Sequence, residues 1–134
     1  MESQDFLLLK ELSFASVGRH SSLPILYTRF LEQVSLGHED AMELVSITLP
    51  IIKKHQLIYG IADNRADFIS LNSDAMNLLS DNESLALLKA QAAITSNVAT
   101  QISANYFVKA RKPIIPFEVF DSIEPAISWL LKQK

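Results

Sequence analysis

From Ala90 onward the apolar positions switch between strand-like and helical spacing, and the alternation predicts strand, helix, strand, helix. Ala90-Gln91-Ala92-Ala93-Ile94-Thr95 is a small-residue apolar run. Ser96 or Asn97 can cap the next element, and Val98 to Lys109 has the length of a helix. Lys112-Pro113-Ile114-Ile115-Pro116-Phe117-Glu118-Val119-Phe120 returns as a β-rich segment. Asp121-Ser122-Ile123-Glu124 then opens a final helix that runs to Ser128-Trp129-Leu130-Leu131.

The first half of the chain has a less regular pattern. Phe6-Leu7-Leu8-Leu9 can be a strand that Phe14-Ala15-Ser16-Val17 extends or replaces, although Leu, Lys and Glu also favour a helical turn there. Gly18-Arg19-His20-Ser21-Ser22 reads as a turn, and Pro24 suits the start of a strand. Ile25 to Glu32 is that strand, rich in β-branched and aromatic residues, and it is expected to pair with the earlier segment as an antiparallel hairpin.

Ser35 to Gly37 is expected to begin the first helix. Glu39 and Asp40 suit its positive end, and Lys53, Lys54 and His55 suit its negative end. Ala41, Leu44, Val45, Thr48 and Ile52 form its apolar stripe, which Pro50 interrupts; a kink is expected in the last turn. Leu57 to Ala62, ending at Asp63, looks like a central parallel strand buried on both faces. Asn64 to Leu71 reads as a loop. Asn72 or Ser73 caps a short helix carrying Ala75, Met76, Leu78 and Leu79, and Ser84 to Leu88 adds one more turn. Strands alternating with helices predict an α/β domain with a mostly parallel sheet, right-handed crossovers and an antiparallel N-terminal strand or hairpin. No repeat or linker divides the chain, so a single domain over residues 1–134 is expected.

Composition narrows the class. The chain is 49% hydrophobic and 20% charged, which is globular, and its net charge of −3 offers no basic surface for nucleic acid or an anionic membrane. It has no cysteine, which removes disulfide scaffolds, thiolate metal sites and cysteine nucleophiles. The acidic N-terminus lacks a signal-peptide pattern, and no stretch approaches the roughly 20 apolar residues of a membrane span; a cytoplasmic protein is expected.

The residues Ala92-Ala93-Ile94, Asn105-Tyr106-Phe107, Lys112-Pro113, Pro116, Phe120 and Ala126-Ile127-Ser128-Trp129-Leu130 carry a resemblance. With Asp63, Ile69, Ser70 and the helix around Ala75, they make the chain similar to SpoIIAA-like (STAS) domains, and in particular to small bacterial STAS/SEC14-like proteins. The resemblance covers roughly the last three quarters of the chain. It implies a single-wound sheet with helices mainly on one face, and a regulatory or binding role rather than catalysis. It also implies attention to serines after the central strand, because anti-sigma antagonists are phosphorylated there. Here only Ser70 and Ser73 are in place, and neither follows an aspartate as in the Asp-Ser-Ser-Gly pattern of that site.

Ser70, Asn72, Ser73 and Asp74 lie at the carboxyl end of the presumed central strand, where open parallel sheets bind ligands; Ser96 and Asn97 repeat the situation one strand later. These six residues form the candidate rim for an anion or a protein partner. Helix capping is the simpler account of the same residue types. Lys109, Arg111 and Lys112 crowd the C-terminal end of the expected helix as a docking patch for an acidic partner, and dipole complementation explains them more simply. His20, His38 and His55 lack metal-ligand spacing, and Asp63, Asp67 and Asp74 have the chemistry of hard-cation ligands but are common residue types in loops and caps. No G-x-S-x-G elbow, P-loop or dinucleotide fingerprint is present, so no enzyme, cofactor or metal is expected. Tyr106, Phe107, Phe117, Phe120 and Trp129 read as core. Pro113 and Pro116 make the last strand an edge. A single-wound sheet leaves one apolar face short of helices, to be covered by the N-terminal segment or a second subunit, and a homodimer is expected. The reading is therefore a non-enzymatic regulatory or protein-interaction module with an unidentified protein partner. The alternative is a carrier of a small or lipid-like ligand.

Overall fold

The computed structural model describes residues 5–66, 70–95 and 114–133. Strands β1 (Phe6–Glu11), β2 (Ala15–His20), β3 (Ile25–Phe30) and β4 (Ser35–Leu36) precede helix α1 (His38–His55). Then come β5 (Tyr59–Asp63), β6 (Ser70–Leu71), α2 (Ser73–Ser80), α3 (Glu83–Ala86), β7 (Ala90–Ile94), β8 (Phe117–Phe120) and α4 (Ile123–Leu131). Among the described residues the main sheet has six strands in the order β1-β2-β3-β5-β7-β8. Pairing is antiparallel from β1 to β3 and parallel from β3 to β8. Strand order follows chain order throughout, so the sheet is wound in one direction only.

Single winding fixes where the helices go. Right-handed crossovers that always step the same way return on the same face. Leu44 and Ile52 of α1, Ala75 of α2 and Leu85 of α3 accordingly share one apolar cluster with Val17, Leu26 and Phe30. The chain crosses to the other face after the last strand. Ile123, Ala126 and Leu130 of α4 pack there on Ile25, Ile61, Ala92 and Ile94. Small residues in β7 let both layers come close, as the unbroken apolar run of a strand covered on both sides requires.

The N-terminal region departs from expectation in three ways. Phe6–Val17 is two strands, and the hairpin is a three-stranded meander. Gly18, Arg19 and His20 belong to β2 and not to a turn. Gly18 is needed because β1 crosses it so closely that a Cβ would lie 2.2 Å from the Leu7 carbonyl oxygen. The turn falls at Ser21–Pro24, where the His20 Nδ1 accepts from the Ser22 and Leu23 backbone N–H groups at 3.1 and 3.0 Å. β3 stops at Phe30, short of Glu32, and Gln33 turns the chain with φ 59°.

Ser35 and Leu36 do not start α1. They form a second, two-stranded parallel sheet with Ser70 and Leu71, a segment expected to be loop. Helix α1 then starts at His38 and continues through Pro50. Pro50 and Ser46 both lie on the exposed side, so the carbonyl that proline leaves unbonded faces water. Buried Ala41, Leu44, Thr48 and Ile52 match the expected stripe, with Val45 half-buried at its margin. β8 is an edge strand behind Pro116. The expected helix at 98–109, the capping residues Ser96 and Asn97, the basic patch at Lys109, Arg111 and Lys112, and Asp67, Tyr106, Phe107 and Pro113 lie outside the described residues.

Candidate functional site

Asp63 ends β5 at the carboxyl edge of the sheet and is 2% exposed. A carboxylate there needs partners, and it has a full set. Its Oδ1 accepts from the Arg65 backbone N–H at 3.1 Å and from Arg65 Nε at 3.0 Å. Its Oδ2 accepts from Arg65 Nη2 at 2.7 Å and from the Tyr27 hydroxyl on the neighbouring strand. The fork of a guanidinium matches the two carboxylate oxygens, which is why arginine and not lysine suits position 65.

Burial pushes the Asp63 carboxyl up, but the Arg65 guanidinium, the Tyr27 hydroxyl and the Arg65 backbone N–H outweigh it and hold it below the usual carboxylate range. Burial, followed by the hydrogen bond and the charge of Asp63, drives the Tyr27 hydroxyl well above the ordinary tyrosine range. The pair is thus fixed as ionised carboxylate and neutral phenol. Neither group is poised to exchange a proton near neutral pH, so the cluster is a clamp on the chain leaving β5. The clamp continues into the sheet: the Tyr27 ring stacks on Phe6 of β1 with centroids 4.1 Å apart, and Phe6 meets His20 edge-on.

The expected rim lies further along. Asn72 is the N-cap of α2, and its Oδ1 accepts from the Ala75 N–H at 2.8 Å. The cap is therefore Asn72, and Ser73 is the first helical residue. Asn72, Ser73 and Asp74 are exposed. The short β4–β6 ladder sets the starts of α1 and α2 side by side, with the Asn72 N–H donating to the Leu36 carbonyl at 3.1 Å. A Cβ at Gly37 would lie 3.3 Å from Asn72 Nδ2, so the two helix starts are in close contact. The α1 start has its own acid: Asp40 Oδ2 accepts from the Gly37 N–H at 3.0 Å. Ser70 sits in β6 at the near end of this ladder. Of the six candidate residues the structure brings four together, and Ser96 and Asn97 are outside the described residues.

Among the described residues no group of three or more His, Cys, Asp or Glu is placed to hold a metal ion. None of the described helices is long and apolar enough to cross a membrane. Thr95, 1% exposed just after β7, has a hydroxyl without a hydrogen-bond partner among the described residues. The Tyr27–Asp63–Arg65 clamp escaped sequence reasoning, which took Asp63 as the end of the central strand, as part of the family resemblance and as a candidate cation ligand. The signal was the Asp-x-Arg spacing immediately after an apolar strand, where a buried acid must find a cation within reach.

The single-wound sheet, antiparallel at its N-terminal side and parallel beyond, defines a SpoIIAA-like α/β domain. A crystal structure of an uncharacterised protein of the DUF3478 family from Shewanella loihica PV-4, described as having a SpoIIAA-like fold, is similar over 92% of this chain and 99% of that one. The TM-score is 0.61 and the sequence identity 17%, a likeness of fold. Residues 21–134 match the model of a domain of unknown function, DUF7793, and the chain belongs to that family. No curated protein matches it.

Proposed function

We propose that this chain is a non-enzymatic regulatory or protein-interaction module of the cytoplasm that works as a homodimer and docks a protein partner on the rim of Ser70, Asn72, Ser73 and Asp74, extended by Ser96 and Asn97. The observation that supports this reading most is the pairing of two helix starts by the β4–β6 ladder, with Asn72, Ser73 and Asp74 exposed on it. Such a surface offers backbone N–H groups, the Ser73 hydroxyl and the Asp74 carboxylate. The titratable cluster beside it favours binding over catalysis, because Asp63 has both oxygens engaged and cannot act as a base without breaking its own clamp.

The test is a quantitative pull-down from the source organism with wild type, a Ser73→Arg/Asp74→Arg variant and a Lys132→Glu control. Asn72 is left intact so that α2 keeps its cap. A protein retained by wild type and control but lost by the rim variant supports the reading. Equal capture by all three, or a small molecule that co-purifies in native mass spectrometry and survives the rim substitutions, overturns it.

A further inference from the structure

The homodimer is a part of the proposed function for which strand β1 supplies a specific interface. Eight large apolar side chains are more than a third exposed among the described residues, and three of them are consecutive: Leu7 at 51%, Leu8 at 61% and Leu9 at 37%. All three lie on an edge strand of the main sheet. The opposite edge, β8, is guarded in the usual way: it is four residues long, follows Pro116 and carries exposed Glu118. β1 has six residues and no proline.

The backbone of β1 shows which groups are free to pair. The Ser21 N–H donates to the Asp5 carbonyl at 2.7 Å, so Asp5 and Ser21 form a hydrogen-bonded pair in the β1–β2 ladder. Bonded and non-bonded pairs alternate along an antiparallel ladder. Leu7 therefore also points its backbone groups at β2, whereas Phe6 and Leu8 point theirs away from the sheet. The register skips Leu9, which is a bulge between Leu8 and Lys10. Because Lys10 sits opposite Val17 and Leu7 opposite Arg19, register places Asp5, Leu7 and Lys10 on the face that α1, α2 and α3 cover and Phe6, Leu8 and Glu11 on the face of α4.

A bulge normally protects an edge, because it spoils the match to a straight strand. It does not spoil the match to a second β1. We propose that β1 docks on β1 of a second copy of this chain, antiparallel about a two-fold axis at Leu7, joining the two sheets edge to edge. In that register the outward groups of Phe6 meet those of Leu8 of the second copy, and the reverse. Leu7 faces Leu7 of the second copy in a non-bonded pair. The bulge at Leu9–Lys10 spans the position opposite Asp5, which puts Lys10 and Asp5 of the second copy on the same face as an ion pair. The two-fold repeats that pair. A shift of two residues, centring the axis on Leu8, moves the bulge opposite Leu7 of the second copy, separates Lys10 from Asp5 and loses the match.

This interface rests on the homodimer reading, and the experiment separates the two. Light scattering of wild type over the micromolar to sub-millimolar range reads the dimer. The chain has no cysteine, so a Leu7→Cys variant carries a single thiol. A non-bonded pair holds its Cα atoms about 4.5 Å apart, within disulfide range, so mild oxidation should link Leu7→Cys chains as dimers. Leu8→Cys chains, more exposed but facing Phe6, should stay unlinked. Asp5→Lys should raise the dimer dissociation constant about tenfold by setting like charges opposite each other twice, and Asp5→Lys/Lys10→Asp should restore it. A dimer without the Leu7 link, or one linked through Leu8 instead, overturns this interface and leaves the homodimer standing. A monomer at every concentration overturns both and leaves the edge to a strand from another protein.

Discussion

Replacing Asp63 with alanine removes the acceptor for four hydrogen bonds at once, three of them from Arg65. Removing one member of a fully buried ion pair costs about 3–5 kcal/mol, because the other charge is left stranded. Here the cation is not fully buried: Arg65 is 28% exposed and can turn to water. The Tyr27 hydroxyl, half-buried, is less able to do so, and a hydrogen bond to a charged group is worth about 1.5–3 kcal/mol. The net cost should fall at about 2–3 kcal/mol, below the limit for a buried pair and above that for a surface one. Urea unfolding followed by the fluorescence of Trp129, the single tryptophan, measures it. Asp63→Asn, which keeps one acceptor oxygen, should recover part of the loss. A cost below about 1 kcal/mol for Asp63→Ala would refute the reasoning, because that is the value of an exposed pair.

The pH dependence has its origin in the same cluster. The folded carboxyl of Asp63 titrates below its unfolded value, so its contribution is complete above about pH 4 and is lost as pH falls through the folded value. Tyr27 titrates above its unfolded value, so its contribution is complete below about pH 10 and is lost as pH rises beyond it. Tyr27→Phe should flatten the alkaline fall in urea-melt stability and leave an acid fall in place. Gly18→Ala drives a Cβ into the Leu7 carbonyl and should cost more than about 2 kcal/mol, whereas Gly60→Ala meets only the movable ends of Leu88 and Gln91, at 2.9 and 3.1 Å, and should cost less than about 1. Thermal melts of the two variants rank them directly. Asn72→Ala removes the α2 cap and should cost about 1 kcal/mol, while Ser73→Ala should be near neutral by the same assay.

The parts of the fold that rest on side-chain periodicity were legible in the chain. The stripe Ala41, Leu44, Thr48, Ile52 and the small-residue run from Ala90 to Ile94 each have one packing solution. The meander was not legible, because Gly18 looks like a turn residue until β1 is known to cross it. A close approach between segments more than ten residues apart leaves no local pattern. The β4–β6 ladder was hidden for a similar reason: two residues on each side are too short for a period, and Ser35 resembles a helix cap. Asn72 was legible as a candidate cap and only the choice between it and Ser73 was open. Asp63 and Arg65 were visible as residues, but their shared partner Tyr27 lies on another strand.

Sheets whose strand order reverses have a crevice at the reversal, and ligands bind there. Among the described residues this sheet runs in chain order from β1 to β8 and has no such point. The outer edge at β1 and the chain leaving β5 are physically joined. Phe6 of β1 stacks on Tyr27, Tyr27 bonds to Asp63, and Asp63 holds the backbone N–H of Arg65 on the chain leading to β6. Stacked aromatic pairs are worth about 0.5–1.5 kcal/mol beyond their buried area, which is about a two- to twelvefold change in an opening equilibrium. Phe6→Ala should therefore speed hydrogen exchange at the Arg65 amide by about that factor while amides of β7, held between both cores, keep their rate. Equal acceleration at both places would mean that the substitution merely lowers global stability. No change at Arg65 would mean that Tyr27 holds Asp63 unaided, and that the edge strand and the rim are independent surfaces.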